Sequence, residues 1–450
     1  MKVLLIATNT LKEPYPVYPL GLDYVAGAIE GHAVRIVDMN GMDGLAGVVS
    51  AIEAFSPDVI GLSLRNIDNT DTTDPRGFIG QYRDLVAAIR RHSRARLILG
   101  GSGFTIFPAE TMQALGADFG VVGEGERLGP LLSAIEAGRD ARGLSGVITV
   151  DSQAVVPEPW EGDISRRLDT HPDCLSFYLE NGGMLNLQTK RGCHFKCIYC
   201  TYPRIEGRRL RLTNPDEAAR AARRLQEQGA RYFFVTDSVF NSDIDHSLAV
   251  ARAFKKHGVS IPWGAFFTPL EQPDGYFDRM AEAGLTHVEF GTDSLSNSVL
   301  ASYRKPFRDR RVFKVHREAI DAGLYVAHYF LLGGVGETRR TLAETLEKVD
   351  TLEKAALFFF CGMRIYPGTE LYRIALAEGQ VEEGRSILEP VFYRPPTVGT
   401  GEIVERLQAR AGGRINWVTG SGGEETAEVI RSLYKRGHTG PMWEYLIKLS

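Results

Sequence analysis

The sequence of 450 residues predicts an α/β protein with two successive parallel units and a small α-rich end. Short apolar runs alternate with amphipathic helical runs over 1–150; the alternation is lost over 151–185 and resumes over 186–378. Continuous apolar strands, each followed by a helix, indicate parallel sheets covered on both faces. Glycines such as Gly229 and Gly258 follow the helical runs, as expected where helices end.

The first unit, residues 1–150, reads as a doubly wound, Rossmann-like domain. Ligands of such sheets bind outside the carboxyl ends of the strands, which here are polar or rich in glycine. The first strand is followed by Thr8-Asn9-Thr10 rather than by the G-x-G-x-x-G fingerprint, which disfavours NAD. Strands are predicted at 2–8, 33–39, 58–64, 95–101 and 119–125, and helices at 19–30, 44–55, 78–92, 109–115 and 128–138.

The second unit, residues 186–378, has six strand–helix pairs, which suit a partial (β/α)6 barrel with its active site at the strand C-termini. Residues 151–185, with several prolines and the Gly182-Gly183 pair, read as a linker. Residues 379–450 read as a small helical domain that caps the substrate. Barrel strands are predicted at 184–189, 231–236, 259–267, 286–292, 324–332 and 356–365.

Composition and charge exclude several classes of protein. The chain has 52 Lys and Arg against 56 Asp and Glu, a net charge of -4, which gives no general attraction to nucleic acid. No apolar run approaches the ~18 residues that span a bilayer. The N-terminal residues read as a buried strand rather than a signal peptide. Five cysteines are an odd number for a disulfide framework, so we expect a cytoplasmic protein.

Three of the cysteines fall in the segment CHFKCIYC, as Cys193, Cys197 and Cys200. Three thiolates on one loop suit a [4Fe–4S] cluster whose fourth iron stays open to another ligand. A zinc site needs a fourth ligand, and His194, next to Cys193 in the chain, would struggle to reach the same ion. Basic residues surround the triad and form either a solvated face or contacts to a carboxylate or an anionic cluster: Lys190, Arg191, Lys196, Arg204, Arg208 and Arg209.

The cysteine segment, with Tyr199 just before the last Cys, resembles the signature of the radical S-adenosylmethionine (SAM) superfamily. Segments 235–243, 290–296, 331–338 and 364–372 resemble, in the same order, the stretches that meet SAM after the second, fourth, fifth and sixth barrel strands. The resemblance implies SAM as a cofactor beside the cluster. It assigns SAM contacts to Tyr199, Asp237, Ser238, Gly291, Asp293, Ser294, Gly333, Gly334, Tyr366 and Pro367.

Segments 19–29, 100–110 and 121–126 of the first unit resemble the cobalamin-binding module of one radical SAM class. The string Asp-x-His-x-x-Gly, whose His ligates cobalt in many such modules, is absent, and His32 and His92 read as surface residues. The lower face of cobalt is then open or approached by Arg65 or Asn66. The resemblance assigns cobalamin contacts to Thr8, Asn9, Leu20, Gly21, Asp38, Ser63, Arg65, Asn66, Gly100, Gly101, Ser102, Gly103, Phe107, Pro108, the Ala109-Glu110 pair, Gly123, Glu124, Gly125 and Glu126.

The family resemblance implies an enzyme that cleaves SAM to a 5′-deoxyadenosyl radical and, by way of methylcobalamin, methylates an unactivated carbon or phosphorus of a small molecule or lipid. It also implies an electron donor such as flavodoxin or ferredoxin, and we expect a monomer. Cys174 and Cys361 are too few for a second cluster, which disfavours methylthiotransferases. The main alternative is a non-methylating cyclase or rearrangement enzyme. A cobalamin or redox sensor is less favoured, because a sensor needs no segments that contact SAM. An RNA-modifying enzyme is less favoured, because we would expect it to carry an added basic domain.

The substrate is not specified by these motifs. Residues 436–446 are too irregular for a plain helix, and we expect them to close the substrate cavity. Aromatic residues that either line an apolar pocket or belong to the core are Tyr329, Phe358, Phe360, Tyr366, Trp443 and Tyr445.

Overall fold

The computed structural model describes residues 1–12, 15–152, 156–162, 164–167, 172–420 and 423–448. Its first domain is a doubly wound sheet in the order β2-β1-β3-β4-β5-β6, parallel except for the antiparallel pair β5–β6. The strands are β1 Lys2–Ala7, β2 Ala33–Asp38, β3 Val59–Ser63, β4 Arg96–Gly100, β5 Phe119–Val121 and β6 Val147–Ile148. The helices are α1 Leu20–Gly27, α2 Gly44–Phe55, α3 Ile79–His92, α4 Ser102–Ile106, α5 Pro108–Leu115 and α6 Leu128–Glu136.

The glycine-rich segment after β4 differs from the prediction, because two short helices replace the single helix expected at 109–115. α4 ends before Phe107, and α5 restarts at Pro108. Proline has no backbone N–H to donate, so it suits the first turn of a new helix and not the continuation of an old one.

The segment interpreted as a linker also contains a helix, α7 Pro172–Glu180. Its turn residues flank the helix instead of interrupting it, with a proline at its start and Gly182 and Gly183 after its end. Its Tyr178 hydroxyl donates a 2.6 Å hydrogen bond to Asp38 at the end of β2. This helix therefore ties the first domain to the second, and Cys174 lies buried in it.

The second domain is a parallel sheet which, among the described residues, has seven strands in the order β17-β14-β13-β12-β11-β10-β7. The strands, with two short hairpins, are β7 Met184–Leu187, β8 Lys190–Arg191, β9 Arg211–Leu212, β10 Tyr232–Val235, β11 Trp263–Phe267, β12 Leu285–Asp293, β13 Tyr325–Leu332, β14 Ala355–Cys361, β15 Met363–Arg364, β16 Phe392–Tyr393 and β17 Trp417–Thr419. The helices are α8 Tyr202–Ile205, α9 Pro215–Glu227, α10 Ile244–Lys256, α11 Tyr276–Glu282, α12 Asn297–Ser302, α13 Asp309–Asp321, α14 Arg339–Val349, α15 Glu370–Ala377, α16 Thr400–Ala411, α17 Gly423–Lys435 and α18 Glu444–Lys448.

The predicted architecture of a Rossmann-like domain, a six-unit partial barrel and a helical end is confirmed, with one addition. The C-terminal region contributes β17, which pairs in parallel with β14. Three residues are too short a strand to show a period in the sequence. Within the described residues, no helix has the length and apolar character needed to cross a membrane.

Alternation along the barrel strands separates two faces of the sheet. On β11, Trp263, Ala265 and Phe267 belong to the large apolar core under the helices, whereas Phe266 points to the opposite, concave face. The concave face looks toward the carboxyl ends of the first sheet, because both domains contribute residues to one cavity there.

Candidate active site

A cavity of about 420 Å³ lies between the two domains, at the carboxyl ends of the first sheet. This position is the one expected for ligands of doubly wound sheets. The second domain contributes Asn186, Gln188, Arg191, Tyr202 and Thr236 to its wall. The predicted residues that line it are Thr8, Asn9, Leu20, Gly21, Asp38, Ser63, Arg65, Gly100, Gly101, Ser102, Gly123, Glu124, Gly125 and Glu126.

The other predicted residues of the first domain lie beside the cavity rather than in its wall. Asn66 donates to the Asn9 side chain at 3.2 Å. Gly103 lies against the backbone of Leu64 and Arg65, where a Cβ would be 2.9 Å from the Leu64 oxygen. The remaining members belong to the start of α5 or to the domain interface: Phe107, Pro108, Ala109 and Glu110.

Gly101 shows why this loop is rich in glycine. It has a φ of +98°, and an added Cβ would stand 2.7 Å from the carbonyl oxygen of Leu64. Both the backbone conformation and the space therefore require glycine. The absent side chain lets the loop after β4 pack against the loop that carries Arg65.

Arg65 is the cation of the cavity wall contributed by the first domain. Protein surrounds its guanidinium, although the side chain is accessible from the cavity. No carboxylate pairs with it among the residues that the structure describes, and burial lowers the pKa of the guanidinium. The cavity thus contains a cation with no counter-ion from the protein.

Glu124 and Glu126, unlike Arg65, have oppositely charged partners in the protein. Arg191 donates to Glu124 and Glu126, at 2.7 Å each, and Arg211 donates to Glu124 at 2.9 Å. These residues lie in the short β8–β9 hairpin that flanks the cysteine loop. The two glutamates therefore join the first domain to the second.

The basic residues around the cysteine triad fall into two groups: some contact carboxylates, and others form a solvated face. Lys190 forms a buried ion pair with Asp237 at 2.8 Å, and Arg191 pairs with the glutamates. Arg204 is half-buried, whereas Lys196, Arg208 and Arg209 are exposed, and of these three Arg209 pairs with the exposed carboxylate of Glu161.

The cysteine loop follows β8, with Cys193 buried and Cys197 and Cys200 half-buried. Burial raises the pKa of the Cys200 thiol to about 12, and it also raises that of Cys197 against the opposing effect of the Lys305 ammonium. In the part of the chain that the structure describes, no three His, Cys, Asp or Glu side chains share one single-metal position. A [4Fe–4S] cluster makes a different demand, since its thiolates bind separate irons, and three thiols on one loop meet it.

Asp293 lies beside the cysteine loop and organises its inner side. It accepts a 2.6 Å hydrogen bond from the Tyr199 hydroxyl and forms an ion pair with the Lys305 ammonium at 3.0 Å. Asp293 has a φ of +61°, which is unusual for a residue other than glycine and marks a strained end of β12. The sequence motifs predicted Tyr199 and Asp293 but missed Lys305, whose only signal was its place in the turn after α12.

Three of the residues assigned to SAM are occupied by other contacts. Asp237 is fully buried and accepts from the Thr189 hydroxyl at 2.6 Å as well as from Lys190. Ser238 donates to the Gly192 carbonyl at 3.1 Å, and Ser294 contacts Thr345 at 3.0 Å. Their assignment to SAM stays a prediction.

The remaining assigned residues lie at the same edge of the barrel. Gly291 is on the concave face, where an added Cβ would stand 4.0 Å from the Lys305 nitrogen. Gly334 is crowded by Tyr303 and Met363, whereas Gly333 has a φ of +81°. Tyr366 and Pro367 are half-buried, and the Arg364 guanidinium stands 5.0 Å from the Tyr366 ring.

The concave face of the barrel holds most of the aromatic residues named above. Tyr329, Phe358 and Phe360 stack on one another across β13 and β14. Trp443, from the C-terminal segment, donates its indole N–H to Glu289 at 2.9 Å. Tyr366 lies at the domain interface, and Tyr445 contacts His438 within the C-terminal segment. No motif marks Glu289, a lone carboxylate in a buried strand, so sequence reasoning missed it.

A pair of buried histidines lies behind β12, and their burial predicts that the stability of the protein depends on pH. His316 and His328 are 3.1 Å apart, and His328 contacts Thr292 at 2.7 Å. Burial lowers the pKa of His316 to about 4. Because an unfolded histidine has a pKa near 6.5, the unfolded chain binds a proton that the folded chain rejects between about pH 6.5 and 4. We expect His316 to cost about 2 kcal/mol of stability on going from pH 7 to 5.

The measurement is the urea midpoint at both pH values for the wild type, for His316→Gln and for the exposed control His194→Gln. We expect His316→Gln to reduce the pH dependence, with the buried His328 keeping its own share, and the control to leave it unchanged. Equal pH dependence in all three proteins would contradict the assignment.

Comparison with known protein families matches both domains. The radical SAM superfamily matches residues 187–349, and the B12 binding domain matches residues 7–132. Tryptophan 2-C-methyltransferase of Streptomyces laurentii is 24% identical over 443 residues, covering 81% of this chain and 73% of that protein. Cytidylyl-2-hydroxyethylphosphonate methyltransferase of Streptomyces wedmorensis is 25% identical over 474 residues, covering 88% and 86%.

Solved structures show the same fold. The radical SAM methyltransferase TsrM of Kitasatospora setae, with tryptophan substrate and a SAM analogue bound, superposes with a TM-score of 0.88 at 23% identity, covering 99% of this chain and 98% of that one. The cobalamin-dependent SAM radical enzyme OxsB gives a TM-score of 0.75 at 16% identity, covering 91% and 66%. The chain therefore belongs to the radical SAM superfamily, with a B12 binding domain before its radical SAM domain, and the relatives that it resembles over most of its length are methyltransferases.

Proposed function

We propose that this protein transfers a methyl group from SAM, by way of cobalamin, to a small molecule held on the concave face of the barrel. The observation that carries the proposal is the single cavity in which the glycine-rich strand ends of the first domain meet the second domain beside the cysteine loop. A methyl group can pass between two cofactors and a substrate only where their sites adjoin.

The residues present suit the three groups. Cys193, Cys197 and Cys200 would hold a [4Fe–4S] cluster, which supplies the electron for SAM cleavage. Lys305 and Asp293 stand at the inner side of that loop, where they can position the charged amino-acid part of SAM. The cavity lined by Gly100, Gly101 and their neighbours would hold cobalamin, which carries the methyl group. An external one-electron donor such as flavodoxin or ferredoxin completes the proposal.

Arg65 would stand by the cobalamin as a cation without a counter-ion. A guanidinium offers no lone pair to a metal, so it would leave the cobalt without a protein ligand on its side and favour release of a bound methyl group. Asn66 is held by Asn9 instead, which makes Arg65 the better candidate of the two.

The proposal is tested with protein reconstituted with iron, sulfide and cobalamin and then given SAM labelled with a CD3 group. Mass spectrometry should find the label on the cobalamin and, in the presence of substrate, on the product. Release of 5′-deoxyadenosine with an unlabelled product would instead support the rearrangement alternative. Absence of any labelled cobalamin would contradict methyl transfer.

Arg65 gives a more specific prediction within the same assay. We expect Arg65→Leu to bind cobalamin but to pass the methyl group on at least about tenfold more slowly, a change of about 1.4 kcal/mol. Arg65→Lys, which keeps the charge and has no lone pair at neutral pH, should retain most of the rate. Equal rates for Arg65→Leu and the wild type would show that the charge has no part in the transfer.

A further inference from the structure

The outer side of the cysteine loop is exposed and positively charged. Lys196 is exposed and lies between Cys193 and Cys197 in the loop itself. Arg208 is also exposed, and it follows Gly207, whose carbonyl accepts a hydrogen bond from the Cys193 N–H at 3.1 Å. Both cations therefore lie close to the residues that carry the thiols.

Two further arginines border the same loop. Arg304 follows Tyr303, whose carbonyl accepts from the Ile198 N–H at 3.3 Å, and its side chain is exposed. Arg204 is half-buried in α8, directly after the last cysteine of the loop. Together these residues form what we call the basic surface: Lys196, Arg204, Arg208 and Arg304.

Most of this positive charge is not neutralised within the protein. Among the described residues, no ion pair involves Lys196, Arg204 or Arg208. The Arg204 Nε has no hydrogen-bond partner in the same part of the chain. These cations are therefore available to a charged partner from outside.

The carboxylates at the edge of the basic surface do not cancel its charge. Glu161 is already paired with Arg209, and Glu370 with Arg304 at 2.9 Å. Glu158 is exposed on the side of the linker. A protein that presents acidic side chains would meet an excess of cations here, and such complementarity guides association.

Phe195 gives the basic surface an apolar centre. Its ring is half-buried, lies 4.4 Å from the ring of the exposed His194, and precedes Lys196 in the loop. An apolar centre with a charged rim is the usual arrangement of a protein–protein interface.

The other sides of the cysteine loop are closed to a protein partner. On the inner side, the Lys305 and Asp293 side chains are only 6% and 7% exposed. The cavity between the two domains occupies the side toward the first domain. A protein that delivers an electron to a cluster held by this loop therefore has to approach from the basic surface.

We propose that the basic surface is the docking site of an acidic one-electron carrier protein of the flavodoxin or ferredoxin type. The reduced carrier loses one electron, which passes to the cluster, and no bond forms or breaks between the two proteins. Transient redox encounters bury less than about 1,200 Å², so a small charged surface around one loop suffices. The inference rests on the proposed function, since it locates the partner that supplies its electron.

The test measures binding directly, by isothermal titration of the reconstituted protein with an oxidised flavodoxin of net negative charge. We expect binding at about 0.1 M salt and at least about tenfold weaker binding at about 1 M, where screening shortens the reach of charges from ~10 Å to ~3 Å. A basic cytochrome c and an RNA hairpin are the comparison probes, and neither should bind comparably. RNA binding as tight as that of flavodoxin would overturn the inference in favour of a nucleic-acid surface.

Charge reversal locates the docking site. The double variant Lys196→Glu with Arg208→Glu should bind flavodoxin at least about tenfold more weakly at the lower salt concentration. Arg208→Glu alone, which leaves the cysteine loop unchanged, should weaken binding about threefold. The matched control is Arg94→Glu with Arg139→Glu, which makes the same change in net charge at exposed positions of the first domain and should stay within about twofold of the wild type. Equal losses in the double variant and the control would overturn the inference.

The rate of cluster reduction, followed by the loss of visible absorbance, separates docking from damage to the cluster. Reduction by flavodoxin should slow at least about tenfold in the double variant. Reduction by dithionite, a small reagent used at the higher salt concentration, should proceed at the wild-type rate. Slowing with both reductants would contradict a role in docking.

The two proposals fail separately. CD3 transfer to cobalamin in a protein whose flavodoxin binding does not depend on Lys196 and Arg208 would overturn the docking site and leave methyl transfer standing. Flavodoxin binding with the expected variant pattern, in a protein that does not label its cobalamin, would support the docking site and contradict methyl transfer.

Discussion

Replacing Cys197 or Cys200 by serine should abolish both assembly of the cluster and cleavage of SAM. A serine hydroxyl does not ionise at neutral pH and so supplies no thiolate-like ligand, and two thiolates on one short loop do not hold a cubane. The same loss is expected for Cys193→Ser, because the three thiols share one loop. The measurement is iron and sulfide content per chain together with consumption of SAM.

Matched controls come from the other two cysteines. Cys174 lies in α7 and Cys361 at the end of β14, and both are buried away from the loop. Cys174→Ser and Cys361→Ser should keep the cluster and the consumption of SAM. Full turnover by a protein with serine at all three loop positions would refute the assignment of the cluster.

Replacing Arg364 by leucine should lower the free energy of unfolding by about 3–5 kcal/mol. The Arg364 guanidinium pairs with Asp68 at 2.8 Å, and both side chains are almost fully buried. Removal of the cation leaves the Asp68 carboxylate buried and unpaired, which costs far more than the loss of an exposed pair. Arg364 also donates to the Ile387 carbonyl at 2.8 Å, and that acceptor would be left without this donor.

Arg76→Leu is the matched control, because the Arg76–Asp74 pair is exposed on the same loop. Such pairs contribute about 0–1 kcal/mol. The measurement is the urea midpoint and slope of the three proteins at neutral pH. A double variant, Asp68→Leu with Arg364→Leu, should lose less than the sum of its single changes, since it leaves no buried charge. A loss in Arg364→Leu as small as that in Arg76→Leu would contradict the prediction.

The Asp68–Arg364 pair has a functional consequence. It fixes to the barrel the loop that begins with Arg65, while Asn66 of that loop contacts Asn9. The pairs of Arg191 with Glu124 and Glu126 do the same for the loop after β5. We therefore expect Arg364→Leu to slow methyl transfer in the CD3 assay even where the protein remains folded.

Local patterns in the sequence account for the order of the elements and for the positions of the motifs. Apolar runs, and the glycines that follow the helices, predicted the strands of both sheets. Burial of a strand on both faces and the end of a helix each produce a pattern only a few residues long. They missed α7, whose flanking proline and glycines read as a linker, and β17, which is held by its pairing with β14 rather than by its own sequence.

The candidate site was predictable to the same extent. Most of the residues that the short strings of the first domain assigned to cobalamin line the cavity, since each string is recognisable within a few positions. They did not predict that Glu124 and Glu126 are held by Arg191, or that Asp237 is buried against Lys190. Such partners are far apart in the chain, and no periodic pattern in the sequence links them.

The sequence by itself determined the fold class, the family and the three thiols, because these depend on local periodicity and on a fixed spacing of cysteines. Only the tertiary structure decided which charges meet. Trp443 reaches Glu289 across 154 positions, and Arg364 reaches Asp68 across 296. The physical reason is that a buried charge requires a partner in space, and the chain can supply that partner from any element that the fold brings near.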